Sequence, residues 1–300
     1  MNDISNKNRL YVSSTCFKQN LFRDDYVIPQ EICGIELSGG NKFYNDQVIH
    51  KVLDRLVYKE GRSVRIHNYF PVPAKSFIIN FATLNEDILT QSLTVAEKAM
   101  DLCRLYTVPY YSFHTGYLCD GHEEPDGHFS FPHDSFVPYE SARERFLTNI
   151  HYLNQVATEK GVRLAIENLF VAPNNIRASL NCSFEELDEI LLQIPEEIGL
   201  VLDLGHLNIS AYYLKFDRHA YLEGALEKYG DRIFEVHISC NNGVYDQHLP
   251  VEPNDWQLDV LKKIKNCPGL DGAGICVTLE SRQLDEKKIL AALELVKKYL

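Results

Sequence analysis

No stretch of this chain approaches the roughly 20 apolar residues of a membrane span. The opening residues, MNDISNKNRL, also lack the apolar core of a signal peptide. None of the eight cysteines forms a CxxC pair. That argues against a Cys-based zinc knuckle or a redox dithiol and fits reduced thiols in a cytoplasmic protein. There is no GxSxG elbow, Walker A sequence, HExxH helix or dinucleotide fingerprint, so the hydrolases, nucleotide-binding enzymes and zincins that carry them are not indicated. Positive charge is in deficit. Thirty Lys and Arg stand against 42 Asp and Glu, a formal charge of -12. This speaks against a general affinity for polyanions, though not against a local basic groove.

The chain does contain a repeated pattern. With 300 residues, 45% of them hydrophobic, it can bury a substantial core. Eight short runs rich in β-branched and aromatic residues read as buried parallel strands: 9–15, 34–38, 63–70, 110–117, 162–170, 198–206, 233–240 and 274–282. Helical patterns lie between most of them, clearest over 45–60, 85–106, 139–161, 183–194 and 285–300. Gly161 reads as a helix C-terminal stop, and Asn181 or Ser183 ahead of Glu185 and Glu186 reads as a helix start. Strands alternating with helices predict an α/β protein, a single (β/α)8 TIM barrel over residues 1–300, with its active site at the C-terminal ends of the strands. A doubly wound open sheet is the alternative. It would not bring groups from six strands to one point.

Polar groups sit at the ends of six successive runs. His67 ends SVRIH, His114 ends YYSFH, Glu167 ends RLAIE, and Asp203 and His206 close LVLDLGH. His237 ends IFEVH, Asp246 and His248 follow in VYDQH, and Glu280 ends ICVTLE. Glu167, Asp203, His237 and Glu280 would converge from strands 5 to 8. Three carboxylates packed together would repel, and a divalent cation such as Mn²⁺, Zn²⁺ or Fe²⁺ removes that problem. His67, His114, His206, Asp246 and His248 are further candidate ligands, so the expected content is one to three ions. His206 is also a candidate for contacting a substrate hydroxyl. Alternatively, each of these residues is an ordinary strand-end polar group hydrogen-bonded to a loop. His122, His128 and His133 lie in the long connection after strand 4 and read as solvated. Ser38 and the GGNK turn at 39–42 form a weak anion-cradle signal. Tyr69, Phe70, Tyr117 and Trp256 could wall a sugar ring or simply pack between loops.

AIEN, LDLGH, EVHIS and TLES carry a resemblance that runs from strand 2 to strand 8. There the chain resembles the xylose isomerase-like TIM-barrel superfamily, which holds sugar and sugar-phosphate isomerases and epimerases together with apurinic-site endonucleases of the endonuclease IV type. The resemblance implies a metal on Glu167, Asp203, His237 and Glu280, with Glu167 and Glu280 as a catalytic acid–base pair and His206 touching substrate. The function it implies is metal-dependent sugar or sugar-phosphate isomerisation or epimerisation by proton transfer through an enediolate. The endonuclease branch implies an alternative, a three-zinc phosphodiesterase site that adds His67, His114, His206, Asp246 and His248. HNYFPVPAKSFIINFATLNEDILTQSL also resembles that branch. LFVAPNN after Asn168, LPVEPNDW after His248 and the strand-2 loop SGGNKFYN depart from it. The last lacks a basic, aromatic DNA-probing character, so nucleic acid is not an expected partner. The only obvious basic candidates are Lys18, Arg23, Lys42, Lys75 and Arg282. A third reading is a non-catalytic barrel that binds a metal and a ligand. A small-molecule sugar partner, no membrane and an open question of homo-oligomerisation complete the expectations.

Overall fold

A computed structural model describes residues 9–40, 42–124, 129–132, 134–171 and 177–300. His128 and His133 lie outside the described residues. Eight parallel strands close into a barrel. They are β1 (Leu10–Ser13), β2 (Gly34–Leu37), β3 (Ser63–His67), β4 (Tyr110–His114), β5 (Arg163–Glu167), β6 (Gly199–Asp203), β7 (Ile233–Ile238) and β8 (Cys276–Leu279). Each pairs with its neighbours in sequence, and β1 closes the ring against β8. The chain is an α/β (β/α)8 TIM barrel, as the alternating runs predict.

The described helices are α1 (Asp46–Asp54), α2 (Glu86–Tyr106), α3 (Tyr139–Lys160), α4 (Phe184–Leu191), α5 (Leu204–Leu214), α6 (Arg218–Tyr229), α7 (Trp256–Ile264) and α8 (Glu286–Lys297). α1 runs on into a π-helical turn over Arg55–Lys59. Gly161 ends α3 in the left-handed conformation at φ 67°. Ser183, not Asn181, caps α4, its hydroxyl accepting the Glu186 amide. The two long connections carry short pairings of their own. After β4, His122–Glu123 pairs antiparallel with Phe129–Ser130, and after β7, Cys240 bridges Leu249.

The strands are shorter than the runs suggest. β6 stops at Asp203, and LGH belongs to the first turn of α5 rather than to the strand. The cause is local. The Asp203 Oδ1 accepts the His206 amide at 2.6 Å and caps the helix. β3 likewise stops at His67, because Asn68 takes a positive φ of 42°.

Both faces of the strands are packed. Outside, Ile35, Ile66, Phe113 and Leu164 join the helices in one apolar cluster. Inside, the bottom of the barrel holds a polar plug. The Arg65 guanidinium stacks on Tyr11 at 4.5 Å and Tyr110 at 5.1 Å, and the Tyr110 hydroxyl donates to Glu235 at 2.7 Å. Thr278 donates to the other oxygen of Glu235. The barrel is therefore filled from below, and only its C-terminal end is left to open as a site.

Candidate metal centre

The strand ends place the donors. His67, His114, Glu167 and Asp203 are the last residues of β3, β4, β5 and β6. His237 is the penultimate residue of β7, and Glu280 follows β8 directly. Parallel pairing aligns His114 with Glu167 and Asp203 with His237. The structure thus brings all nine sequence-derived candidates to the C-terminal end of the barrel. Except for half-buried His114, all are buried.

Glu167 is the hub. One carboxylate oxygen lies 3.1 Å from His67 Nε2 and 3.6 Å from His114 Nε2, and the other lies 3.2 Å from His206 Nδ1 and 3.8 Å from His237 Nδ1. His237 Nδ1 also lies 3.3 Å from Glu280 and 3.9 Å from Asp203. Donor atoms of Glu167, Asp203, His237 and Glu280 all fall within 4.8 Å of one another, as do those of His67, His114 and Glu167. Further out, His248 Nε2 meets Asp246 at 2.6 Å, and the His248 and His206 rings are 6.5 Å apart.

Electrostatics bear the mark of crowding. Burial raises the Asp203 pKa to about 7, with the neighbouring Glu280 and Glu167 carboxylates adding to the rise. Burial opposes charge on Glu167 too, yet His67 and His114 hold its pKa well below the carboxylate range. Glu280 is likewise driven down against burial by His237. Burial alone would lower the His237 pKa, but Glu36 and Glu280 hold it well above the ordinary value. His114 falls to about 3, chiefly because it is buried. Asp246 sits at about 2 and His248 at about 9, each against its burial, because they face one another.

The fit to a cation rests on unpartnered atoms. Both Glu167 carboxylate oxygens, Asp203 Oδ2, His237 Nδ1, Glu280 Oε2 and Asp246 Oδ1 are buried without a hydrogen-bond partner. Buried polar groups are costly to leave unpaired. Five of them, from Glu167, Asp203, His237 and Glu280, converge on one place, which a divalent ion satisfies, and O/N donors suit Zn²⁺, Mn²⁺ or Fe²⁺. The residues present therefore fit the group.

The ring orientations are fixed from outside the cluster. His67 Nδ1 meets the Ser112 hydroxyl at 2.9 Å, His114 Nδ1 meets the Tyr117 hydroxyl at 3.2 Å, and His248 Nδ1 meets the Glu280 carbonyl at 2.7 Å. His206 Nδ1 lies 3.0 Å from the Asn168 carbonyl, which the imidazole satisfies by donating from that nitrogen. His237 Nε2 meets Glu36 at 3.0 Å. Glu36 is a residue that sequence reasoning missed, because it lies inside the apolar run GIELS rather than at its end. A lone carboxylate in a wholly buried strand was the available signal. Asn168 was missed as well. Its amide ties β5 to β6, donating to the Asp203 carbonyl at 3.0 Å and accepting the Asp203 amide at 2.8 Å.

Above the cluster opens a cleft of about 1470 Å³, lined by His67, His114, His206, Asp246, His248 and Glu280. Tyr69 and Tyr117 line it, as expected of wall residues, while Phe70 is buried in the core and Trp256 lines a separate cleft of about 580 Å³. Phe170, not foreseen, tilts over the His206 ring with centroids 4.7 Å apart and also faces the cleft. His122 is exposed and pairs with Glu124 at 3.1 Å. Among the described residues no helix is long and apolar enough to cross a membrane.

Comparisons with known proteins agree with this architecture. The family described as xylose isomerase-like TIM barrel matches residues 34–299. The uncharacterized protein MJ1311 of Methanocaldococcus jannaschii is 29% identical over 49% of this chain and 45% of its own. MJ1614 of the same organism is 26% identical over 42% of this chain and 43% of its own, so the chain spans less than half of either relative. A D-tagatose 3-epimerase-like protein superposes with a TM-score of 0.71 at 19% identity, covering 97% of this chain and 96% of that one. D-psicose 3-epimerase from Clostridium cellulolyticum H10, with D-tagatose, gives 0.68 at 12% identity over 97% and 99%. IolI with a zinc atom gives 0.63 at 16% identity over 97% and 99%. At these identities the structural likeness is one of fold, and it is the match over 34–299 that assigns the chain: it belongs to the xylose isomerase-like TIM-barrel family.

Proposed function

We propose that the chain is a metal-dependent isomerase or epimerase of a small sugar or sugar derivative. The observation that carries this reading is the pair Glu167 and Glu280. They approach one donor cluster from β5 and from the end of β8, each with buried carboxylate oxygen unpartnered beside an open cleft. Glu167, Asp203, His237 and Glu280 would hold a divalent ion, which supplies Lewis-acid polarisation of a carbonyl and its neighbouring hydroxyl. Both glutamates are held ionised near neutral pH by the histidines around them, so both can act as bases. One takes the proton from the carbon next to the carbonyl, while the C–H electron pair shifts toward the carbonyl oxygen. The carboxyl that took the proton returns it at the adjacent carbon, or the other glutamate, once protonated from solvent or a substrate hydroxyl, delivers a proton on the opposite face. His206 donates to or accepts from a substrate hydroxyl, and Tyr69 and Tyr117 exclude water from the reacting face. Structural neighbours named as sugar epimerases support the reading. Its test is solvent-deuterium exchange into a panel of ketoses and their phosphates. The wild-type protein should exchange the proton next to the carbonyl of its substrate class, and Glu167→Gln and Glu280→Gln should each slow that exchange about 100-fold or more. Wild-type exchange in both variants, with metal bound, would refute the paired-glutamate mechanism.

One observation favours a second reading, a multi-zinc phosphoester hydrolase. The His67–Glu167–His114 group adjoins the central four, and the Asp246–His248 pair lies beyond them with its histidine ring 6.5 Å from that of His206, so the donors extend past a single ion. Nicking of an abasic-site duplex by metal-loaded protein at enzyme-like rates, abolished by Glu280→Gln, would establish it over the isomerase.

A further inference from the structure

The cleft has one cationic wall, and that wall bears on the kind of substrate the proposed isomerase would take. Three loops that follow the adjacent strands β8, β1 and β2 are zipped together. The Gln283 amide donates to the Thr15 carbonyl at 2.9 Å and the Lys18 amide to the Leu284 carbonyl at 3.2 Å. The Ser38 amide donates to the Ser14 hydroxyl at 3.0 Å. Gly40 sits at φ +76°, a conformation open to glycine, and a Cβ there would touch the Thr15 methyl at 3.4 Å. Gly40 is thereby held against the loop that carries Thr15 and Lys18.

Lys18, Lys42 and Arg282 all line the cleft on this side. Arg282 is anchored by its amide to the His248 carbonyl at 3.0 Å, and its guanidinium stands 3.6 Å from Asp246. The lysines are different. Among the described residues neither ammonium has a carboxylate partner. Asp24 and Asp25, in the same loop as Lys18, are paired with Lys51 and Arg23, each at 2.6 Å. In a chain of formal charge -12, two unneutralised lysines and an arginine are thus held at the mouth of one cleft. Tyr69, Tyr117, Phe129 and Glu123 also line the cleft, Tyr69 packed against Gly39. An anionic group entering the cleft is drawn toward these cations.

We infer that the wall formed by Lys18, Lys42 and Arg282 binds a phosphate monoester on the substrate, so that the enzyme acts on a phosphorylated sugar with its reacting carbons over Glu167 and Glu280. This inference rests on the isomerase reading for the reacting end of the substrate, but the anion subsite can be tested without it. A dianion placed here is met by point charges at the lysines and by a planar fork at Arg282. Reading the wall this way also gives a role to Gly39, Gly40 and Lys42, which line the cleft.

Two measurements on the metal-loaded protein decide the matter. The first is titration with inorganic phosphate. Lys18→Gln/Lys42→Gln should weaken binding about tenfold or more, as loss of charge-assisted contacts does, with metal content unchanged. Lys75→Gln, an exposed lysine off the cleft wall, should leave phosphate binding as in the wild type. Equal phosphate affinity in the double variant and the wild type would overturn the subsite. The second is the ratio of kcat/KM for a sugar phosphate to that for the free sugar, which should fall at least about tenfold in the double variant. An unchanged ratio, or a preference for a sugar acid over a sugar phosphate, would overturn the phosphate assignment. If no sugar of either kind exchanges a carbon-bound proton, the isomerase reading fails, while the phosphate titration still decides whether the wall binds the anion.

Discussion

His237 Nε2 lies 3.0 Å from a carboxylate oxygen of Glu36, and both side chains are fully buried. The other ring nitrogen, Nδ1, faces Glu280, Glu167 and Asp203 without a hydrogen-bond partner. A carboxylate behind a histidine fixes which nitrogen carries the proton, and with it which nitrogen is offered to a metal. Glu36→Ala should therefore weaken metal affinity about 10- to 100-fold. Competition with a chromophoric chelator reads this directly, and wild-type affinity in the variant would show that Glu36 only fills space.

Proton release should accompany metal uptake. Burial would lower the His206 and His237 pKa values, but the surrounding carboxylates raise them well above the ordinary value. A raised pKa means that the metal-free protein holds these protons at neutral pH, and a ligand nitrogen must lose its proton to bind. Affinity should consequently rise with pH and fall on acidification. Titrating apo-protein with Zn²⁺ at pH 7 in a weakly buffered indicator solution should show proton release. A pH-independent affinity with no release would contradict the donor assignment.

The polar plug beneath the site is a stability element. Removing the Tyr110 hydroxyl by Tyr110→Phe leaves a buried Glu235 oxygen without its 2.7 Å donor. The expected cost is about 1–3 kcal/mol, read by urea denaturation of the metal-loaded protein. Metal content should not change, because the hydroxyl bonds to Glu235 and to none of the candidate ligands. An unchanged midpoint would mean that Glu235 finds another donor.

Duplex DNA should bind weakly at physiological salt, since the formal charge is -12 and the cations of the cleft are few. A fluorescence anisotropy titration with an abasic-site duplex tests this. Tight binding in 150 mM salt (a value chosen at about physiological ionic strength) would favour the phosphoester hydrolase instead.

Much of the barrel is legible in the sequence, because buried parallel strands are short continuous apolar runs and the polar residues that end them are conspicuous. Glu167, Asp203 and His237 stand out for that reason. Helices α5 to α7 did not stand out. In α5, Leu204, Gly205, His206, Leu207, Ile209 and Ser210 are all buried, so LGHLNISAYYL shows no polar face of helical period. The same residues made LGH look like the end of a strand. Glu36 was hidden because alternation within a strand does not say which face turns toward the donor cluster. The sequence names Lys18, Lys42 and Arg282 among five basic candidates, and the pairing of β1 with β2 and β8 is what brings their loops together.

The central claim is that strand ends from β3 to β8 build a divalent metal centre. Elemental analysis of the purified protein tests it most directly, giving metal identity and number per chain together. The account predicts at least one tightly bound Zn²⁺, Mn²⁺ or Fe²⁺, a sharp loss in Asp203→Asn and no loss in His122→Ala, whose imidazole is exposed beside Glu124. Protein that stays metal-free after incubation with all three ions would contradict it.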